Sequence, residues 1–169
     1  MSTTSLLSSS PLFIGMSPDE CSTVLGMAEF HAYPTGKTLI REGTQRRTLH
    51  VLLQGECTVV KTMKHGAEHQ LAILKPGALF GEVSFFDHGE HSSTVRAIAP
   101  VEVMELSWEN FQELQEQCER SACQLTRNMA CIMAQRFRKL HSYIVEMMDH
   151  PTVSPSSPRL GSLHRQMFH

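Results

Sequence analysis

Apolar positions change their spacing along the chain, and each change marks a different kind of element. In "SPDECSTVLGMAEF" (17–30), Val24, Leu25 and Ala28 lie on one helical face. Ahead of them Ser17 reads as an N-cap, Pro18 as the first helical residue and Glu20 as the reciprocal member of a capping box. A helix running to about Phe30 is therefore predicted. From residue 31 to 107 the helical spacing disappears. Short β-branched runs, "KTLI", "LHVLL", "CTVVKTM", "HQLAIL", "STVRAI" and "VEVMEL", are separated by turn signals at Glu42-Gly43, Gln54-Gly55, His65-Gly66, Pro76-Gly77 and Pro100. That spacing predicts an antiparallel sandwich or barrel. Beyond Trp108 the helical period returns, with Ser107 as N-cap and a break near Glu119 to Ser121. In the second of these helices Leu125, Met129, Met133, Phe137, Leu140, Ile144 and Met147 recur every three or four residues. This stripe is too long for one small β-domain to cover, and a second copy of the helix is its expected partner.

Composition narrows the function without naming it. The 169 residues suffice for one domain with a proper core, flanked by a Ser/Thr-rich leader (1–10) and a Pro/Ser-rich tail (149–169). Fifteen basic and seventeen acidic side chains give a formal charge of -2, so no overall field recruits DNA or an anionic membrane. No apolar run approaches the roughly 20 residues that span a bilayer, and the first residues lack the basic start and apolar run of a signal peptide. The five cysteines have no paired metal-site spacing, and reduced thiols in a cytoplasmic protein are expected. His65 and His69 flank a hairpin turn without a matching ligand set, so neither a metal nor another cofactor is expected. No nucleophile elbow or paired carboxylates accompany the β-rich segment, and a catalytic role is not expected.

Four segments taken in order carry a resemblance: "YPTGKTLIREG" (33–43), "LHVLLQGECTVV" (49–60), "LKPGALFGEVSFFDHGEHSSTVRA" (74–97) and "VEVMELSWENFQEL" (101–114). Together they resemble the cyclic nucleotide-binding domains of the catabolite-activator and protein-kinase regulatory-subunit type, over about residues 11 to 148. The resemblance implies a mainly β fold with flanking helices: a jelly-roll or cupin-like β-roll over about 31–107, an N-terminal helix, and C-terminal helices over about 108–148. It also implies that Phe80, Gly81, Glu82, Val83 and Ser84 open a phosphate-binding cassette closed by His91, Ser92 and Ser93. In this assignment Gly81 lets backbone N–H groups approach a phosphate and Glu82 accepts a hydrogen bond from a ribose hydroxyl, while the serines touch the phosphate. Leu140 falls where relatives place a hydroxyl that meets the base.

The chief departure is His91, which stands where the family has an Arg. An Arg grips phosphate through a permanently charged fork, whereas a His offers one ring donor and is mostly neutral at pH 7. A hydrogen bond to a charged group is worth on the order of 1.5–3 kcal/mol, so the exchange weakens phosphate binding by roughly 10- to 150-fold. A protonated His91 would restore affinity as pH falls. Arg96 is too far along its strand to take over.

Two readings follow. One is a regulatory ligand-sensing module, homodimeric through the 122–148 helix, that binds a cyclic nucleotide such as cAMP or cGMP, or another small anion, and signals to a protein partner of unknown identity. The other is a degenerate member serving as a dimerisation or docking scaffold without ligand. The winged helix-turn-helix of DNA-binding relatives has no counterpart in the 21 residues after that helix, so DNA is not an expected partner, and the lack of a long apolar run leaves a membrane equally unexpected.

Overall fold

The computed structural model describes residues 10–149; the leader at 1–9 and the tail at 150–169, with its Ser-Pro pairs, lie outside the described residues. Ser10 is buried, and its hydroxyl caps a single 3₁₀ turn, Pro11–Phe13, that docks on the C-terminal helix through Asn128. Helix α1 (Pro18–Gly26) begins with the capping box read from the sequence: Glu20 N–H donates to the Ser17 hydroxyl at 3.3 Å and Ser17 N–H to the Glu20 carboxylate at 2.7 Å. It ends earlier than expected. Glu29–Tyr33 leave the helix to form strand β1, because their backbone pairs with the edge of Val101–Ser107. Phe30 is thus a strand residue.

The remaining strands are β2 (Thr38–Ile40), β3 (Thr48–Gln54), β4 (Cys57–Thr62), β5 (Glu68–Leu74), β6 (Leu79–Phe80), β7 (Thr94–Ala97) and β8 (Val101–Ser107). They form two four-stranded antiparallel sheets, ordered β1-β8-β3-β6 and β2-β7-β4-β5, which face each other as a β-roll. Strand β3 shows why both of its faces are apolar. Leu49, Val51 and Leu53 point to a core shared with the helices, while Leu52, two residues from His50, points into the roll against Phe80, Val101 and Val103.

Between β6 and β7 lies the short helix α2 (Glu82–Asp87), which ends at His88 with φ of 59°. Phe85 at its centre is fully buried, packed edge-on against Phe86, Trp108 and Phe111. Arg47 covers Trp108 at 3.3 Å from the ring centroid and donates to the Phe85 carbonyl at 2.9 Å, which fixes α2 to the body of the roll.

Helix α3 (Trp108–Gln117) starts at the Ser107 cap, as read from the sequence, and stops at Cys118. Helix α4 (Glu119–Asp149) follows without an intervening loop. Its 31 residues extend about 46 Å at 1.5 Å each. Ala122, Leu125 and Met129 are buried against the roll and α1, whereas Phe137, Leu140, Ile144 and Met147 farther along the same stripe are exposed.

Candidate functional site

The β6–α2–β7 segment brings most of the sequence-derived site residues to one end of the roll. Phe80 is buried and stacks on the His50 imidazole with centroids 4.8 Å apart. Gly81 turns the chain from β6 into α2 at φ +83°, in the left-handed region that a side chain disfavours. A Cβ there would lie 2.6 Å from the Thr48 carbonyl and 3.1 Å from His50 Nδ1, so conformation and space both require glycine. Ser84 is buried and Val83 is exposed on the outer side of α2.

Glu82 is buried, and its carboxylate pairs with the Arg136 guanidinium, which comes from α4, 54 residues later. The other arm of Arg136 donates to the Leu79 carbonyl at 2.5 Å. One side chain thus ties the long helix to both sides of the Gly81 turn. An open groove of about 460 Å³ runs beside this pair, lined by Glu82, Val83, Met133, Ala134, Arg136, Phe137 and Arg138. Leu140 sits one helical turn beyond Arg136 and is part-exposed. In the sequence, "RFRKLH" (136–141) reads as the solvated face of α4, but the Arg136 side chain is instead largely buried against the cassette. The readable signal was a cation embedded between the stripe positions Met133 and Phe137.

His91 is only 6% exposed, so it is neither a solvated loop residue nor a freely presented donor. Its backbone N–H donates to the Thr44 carbonyl at 2.9 Å, its carbonyl accepts from Gly43 N–H at 2.9 Å, and its ring finds the Arg46 backbone carbonyl. Burial holds its pKa below the usual histidine range. Ser92 and Ser93 follow toward the mouth of the roll, Ser92 exposed and Ser93 half-buried.

Two charged groups that the sequence reading did not single out lie against this loop. Lys61 near the end of β4 donates to the Ser92 carbonyl at 2.7 Å and pairs with the Glu42 carboxylate at 2.6 Å. Glu42 also accepts from Thr62 N–H at 2.9 Å, and these bonds hold its carboxyl below the usual range. The regular alternation of β4 was the available clue: Cys57 and Val59 face the roll interior, and Lys61 is the next position of that face. Arg96, by contrast, is engaged away from the cassette in a two-bond pair with Glu68 at 2.9 and 3.1 Å.

Beneath Gly81 lies a buried polar cluster. Glu105 accepts from the Tyr33 hydroxyl at 2.8 Å and faces Arg46 at 3.7 Å and His50 at 3.8 Å. Burial first, then the Glu105 hydrogen bond, pushes the Tyr33 hydroxyl up to about 12. His50 is 2% exposed, and its Nδ1 has no hydrogen-bond partner. Its pKa falls to about 3, chiefly through desolvation, with the charge of Arg46 and the neighbouring His91 adding to the shift. No described helix is long and apolar enough to cross a membrane.

Comparison with known proteins places this geometry. Residues 30–118 match the family model "Cyclic nucleotide-binding domain". The chain is 33% identical over 130 residues to the cyclic AMP receptor protein of Thermus thermophilus, covering 77% of this chain and 58% of that protein. Among solved structures, the catabolite activator protein of Thermus thermophilus superimposes with a TM-score of 0.74 at 30% identity, covering 82% of this chain and 63% of that one. The regulatory domain of Toxoplasma gondii PKA, solved with cAMP, superimposes with a TM-score of 0.59 at 25% identity over 64% of this chain and 41% of that one. The chain therefore spans less than two thirds of each of these relatives.

Proposed function

From its place in the cyclic nucleotide-binding domain family, to which the chain belongs, we propose that this protein is a regulatory module that binds a cyclic nucleotide or a related small anion at the cassette. The ligand would lie between Gly81-Glu82 and Ser92-Ser93, its ribose hydroxyl on the Glu82 carboxylate and its phosphate toward the serine loop, with Leu140 near the base. The relatives named for cyclic AMP make cAMP the first ligand to try.

The observation that carries the regulatory half of the reading is the Glu82–Arg136 pair. A ligand hydroxyl arriving at Glu82 must share that carboxylate with a guanidinium mounted on α4. Ligand binding and the position of the helix are then linked through one ion pair. A ligand shifts such an equilibrium only by its differential affinity for the two helix positions, and this shared carboxylate supplies a difference. The exposed stripe at Phe137, Leu140, Ile144 and Met147 fits a second copy of the chain, and the proposed signal passes to a partner protein through the same helix.

The test is a thermal-shift panel of cyclic purine and pyrimidine mononucleotides on the native chain and on Glu82→Gln. Ligand at 100 times its dissociation constant adds about 2.7 kcal/mol, or roughly 5–10 °C for a chain of this size. The expected result is a shift with cAMP or cGMP that Glu82→Gln loses. No shift with any member of the panel would favour the scaffold reading, in which the cassette fold is kept without a ligand.

A further inference from the structure

In the cassette His91 is folded into the 43–46 loop, and the nearby arginines are engaged, Arg96 by Glu68 and Arg136 by Glu82 and the Leu79 carbonyl. A cation is nonetheless present at the loop. Lys61 Nζ lies 2.7 Å from the Ser92 carbonyl, on the face of β4 that continues the roll-lining positions Cys57 and Val59. It reaches the serine loop from the neighbouring strand of the same sheet, where Val60 of β4 pairs with Thr94 of β7, and its side chain remains 42% exposed. The carboxylate it holds at 2.6 Å belongs to Glu42. Glu42 is fixed in turn by Thr62 N–H through its side chain and by the Thr94 hydroxyl through its own N–H.

We propose that Lys61 is the phosphate-binding cation of this site and that Glu42 is its internal counter-ion, displaced or shared when an anionic ligand arrives. This assignment rests on the reading of the cassette as a cyclic nucleotide site, and it identifies the residue that sets its affinity. A cyclic phosphodiester carries a single negative charge, so exchanging the Glu42 carboxylate for the ligand at the ammonium leaves the charge beside Lys61 unchanged. The net gain is then set by how tightly Glu42 competes. Two consequences separate this arrangement from one that relies on His91. Removing the competitor strengthens binding, which loss of a merely structural bridge would not do. Affinity is also flat across mildly acidic pH, because a lysine ammonium stays charged where a histidine gains its proton.

The experiment is calorimetric titration of cAMP and cGMP into the full chain and into Lys61→Gln, Lys61→Arg and Glu42→Gln, at pH 5.5 and 7.5. Circular dichroism melts establish that each variant is folded. Loss of one charge-assisted hydrogen bond predicts about 10- to 150-fold weaker binding for Lys61→Gln. Lys61→Arg should stay within about 5-fold of the native chain, and Glu42→Gln should bind about 3- to 10-fold more tightly, on the scale of a partly exposed ion pair. Native affinity should change less than 2-fold between the two pH values. Native binding with Lys61→Gln unaltered, or affinity that climbs steeply at pH 5.5, would overturn the assignment while leaving the cyclic nucleotide reading intact. Absence of binding in all four proteins at both pH values would overturn both. If Lys61→Gln does not fold, Glu42→Gln decides the matter: tighter binding than the native chain supports the assignment, and unchanged or weaker binding overturns it.

Discussion

At the scale of single residues, His50 shows how a β-strand pattern conceals chemistry. In "LHVLL" it is the one polar residue of a run whose composition predicts a strand. The roll covers both faces of β3, so His50 lies inside, stacked on Phe80 with one ring nitrogen unpartnered. The pH consequence follows from linkage. An unfolded histidine takes up its proton near pH 6.5, while folded His50 does so only near 3. Between those values the unfolded chain holds more protons, and stability falls as pH drops, by up to about 1.4 kcal/mol per unit. His91, also lowered by burial, adds to the loss with the same sign. Urea midpoints measured from pH 7.5 to 5 should therefore decline for the native chain and decline less for His50→Phe. Equal slopes in the two proteins would show that His50 is not the linked group. Gly81 was singled out through its place in the motif, while the crowding that requires a glycine there comes from Thr48 and His50 on β3. The burial of His50 was not legible in the sequence, because it depends on a second sheet.

At the scale of elements, the cassette and α4 are coupled by a pair whose members come from opposite ends of the fold. Glu82 heads a six-residue helix and Arg136 stands in the middle of a 31-residue one, and both side chains are largely buried. Breaking such a pair strands a charge in a poorly solvated place, at a cost of about 2–4 kcal/mol. Arg136→Met should lower the unfolding free energy by that amount. Glu82→Gln together with Arg136→Met should recover part of it, since neither charge is then left alone. A double-mutant cycle in urea reads the coupling directly, and a coupling energy indistinguishable from zero would mean that the pair does not tie α4 to the cassette. The elements themselves were largely readable. Both serine caps and the break before α4 fall within a residue or two of their expected positions, because capping is set by neighbours within one turn. β1 and β6 were missed. Each is defined by its pairing, β1 with β8 and β6 with β3, and neither carries a run of β-branched residues to announce it.

At the scale of the whole molecule, the apolar stripe of α4 runs past the contacts that bury its first turns. Its first turns bury Ala122, Leu125 and Met129, while Phe137 is 69% and Met148 75% exposed. An apolar stripe this long on an isolated helix is poorly compatible with water, and a copy of the same helix in an antiparallel or parallel pair would cover it. The proposed dimer predicts that the native chain sediments at twice its monomer mass of 19.0 kDa and that Phe137→Asp sediments as a monomer with its β-roll intact. A native chain that remains monomeric at high micromolar concentration would remove the dimer from the proposal.

The sequence alone determined the helix caps, an antiparallel β-rich middle and, through motif order, the family with its β-roll, because each of these is written in short-range spacing or in the order of motifs. It also exposed the exchange of an arginine for His91. What that exchange means was decided by the tertiary structure, which buries His91 against the 43–46 loop, pairs β4 with β7 so that Lys61 meets Ser92, and sets Arg136 on Glu82. These contacts join residues 31 to 54 positions apart. Long-range charge pairing of that kind depends on how sheets and helices stack, a property of the packed molecule that no local window of the chain contains.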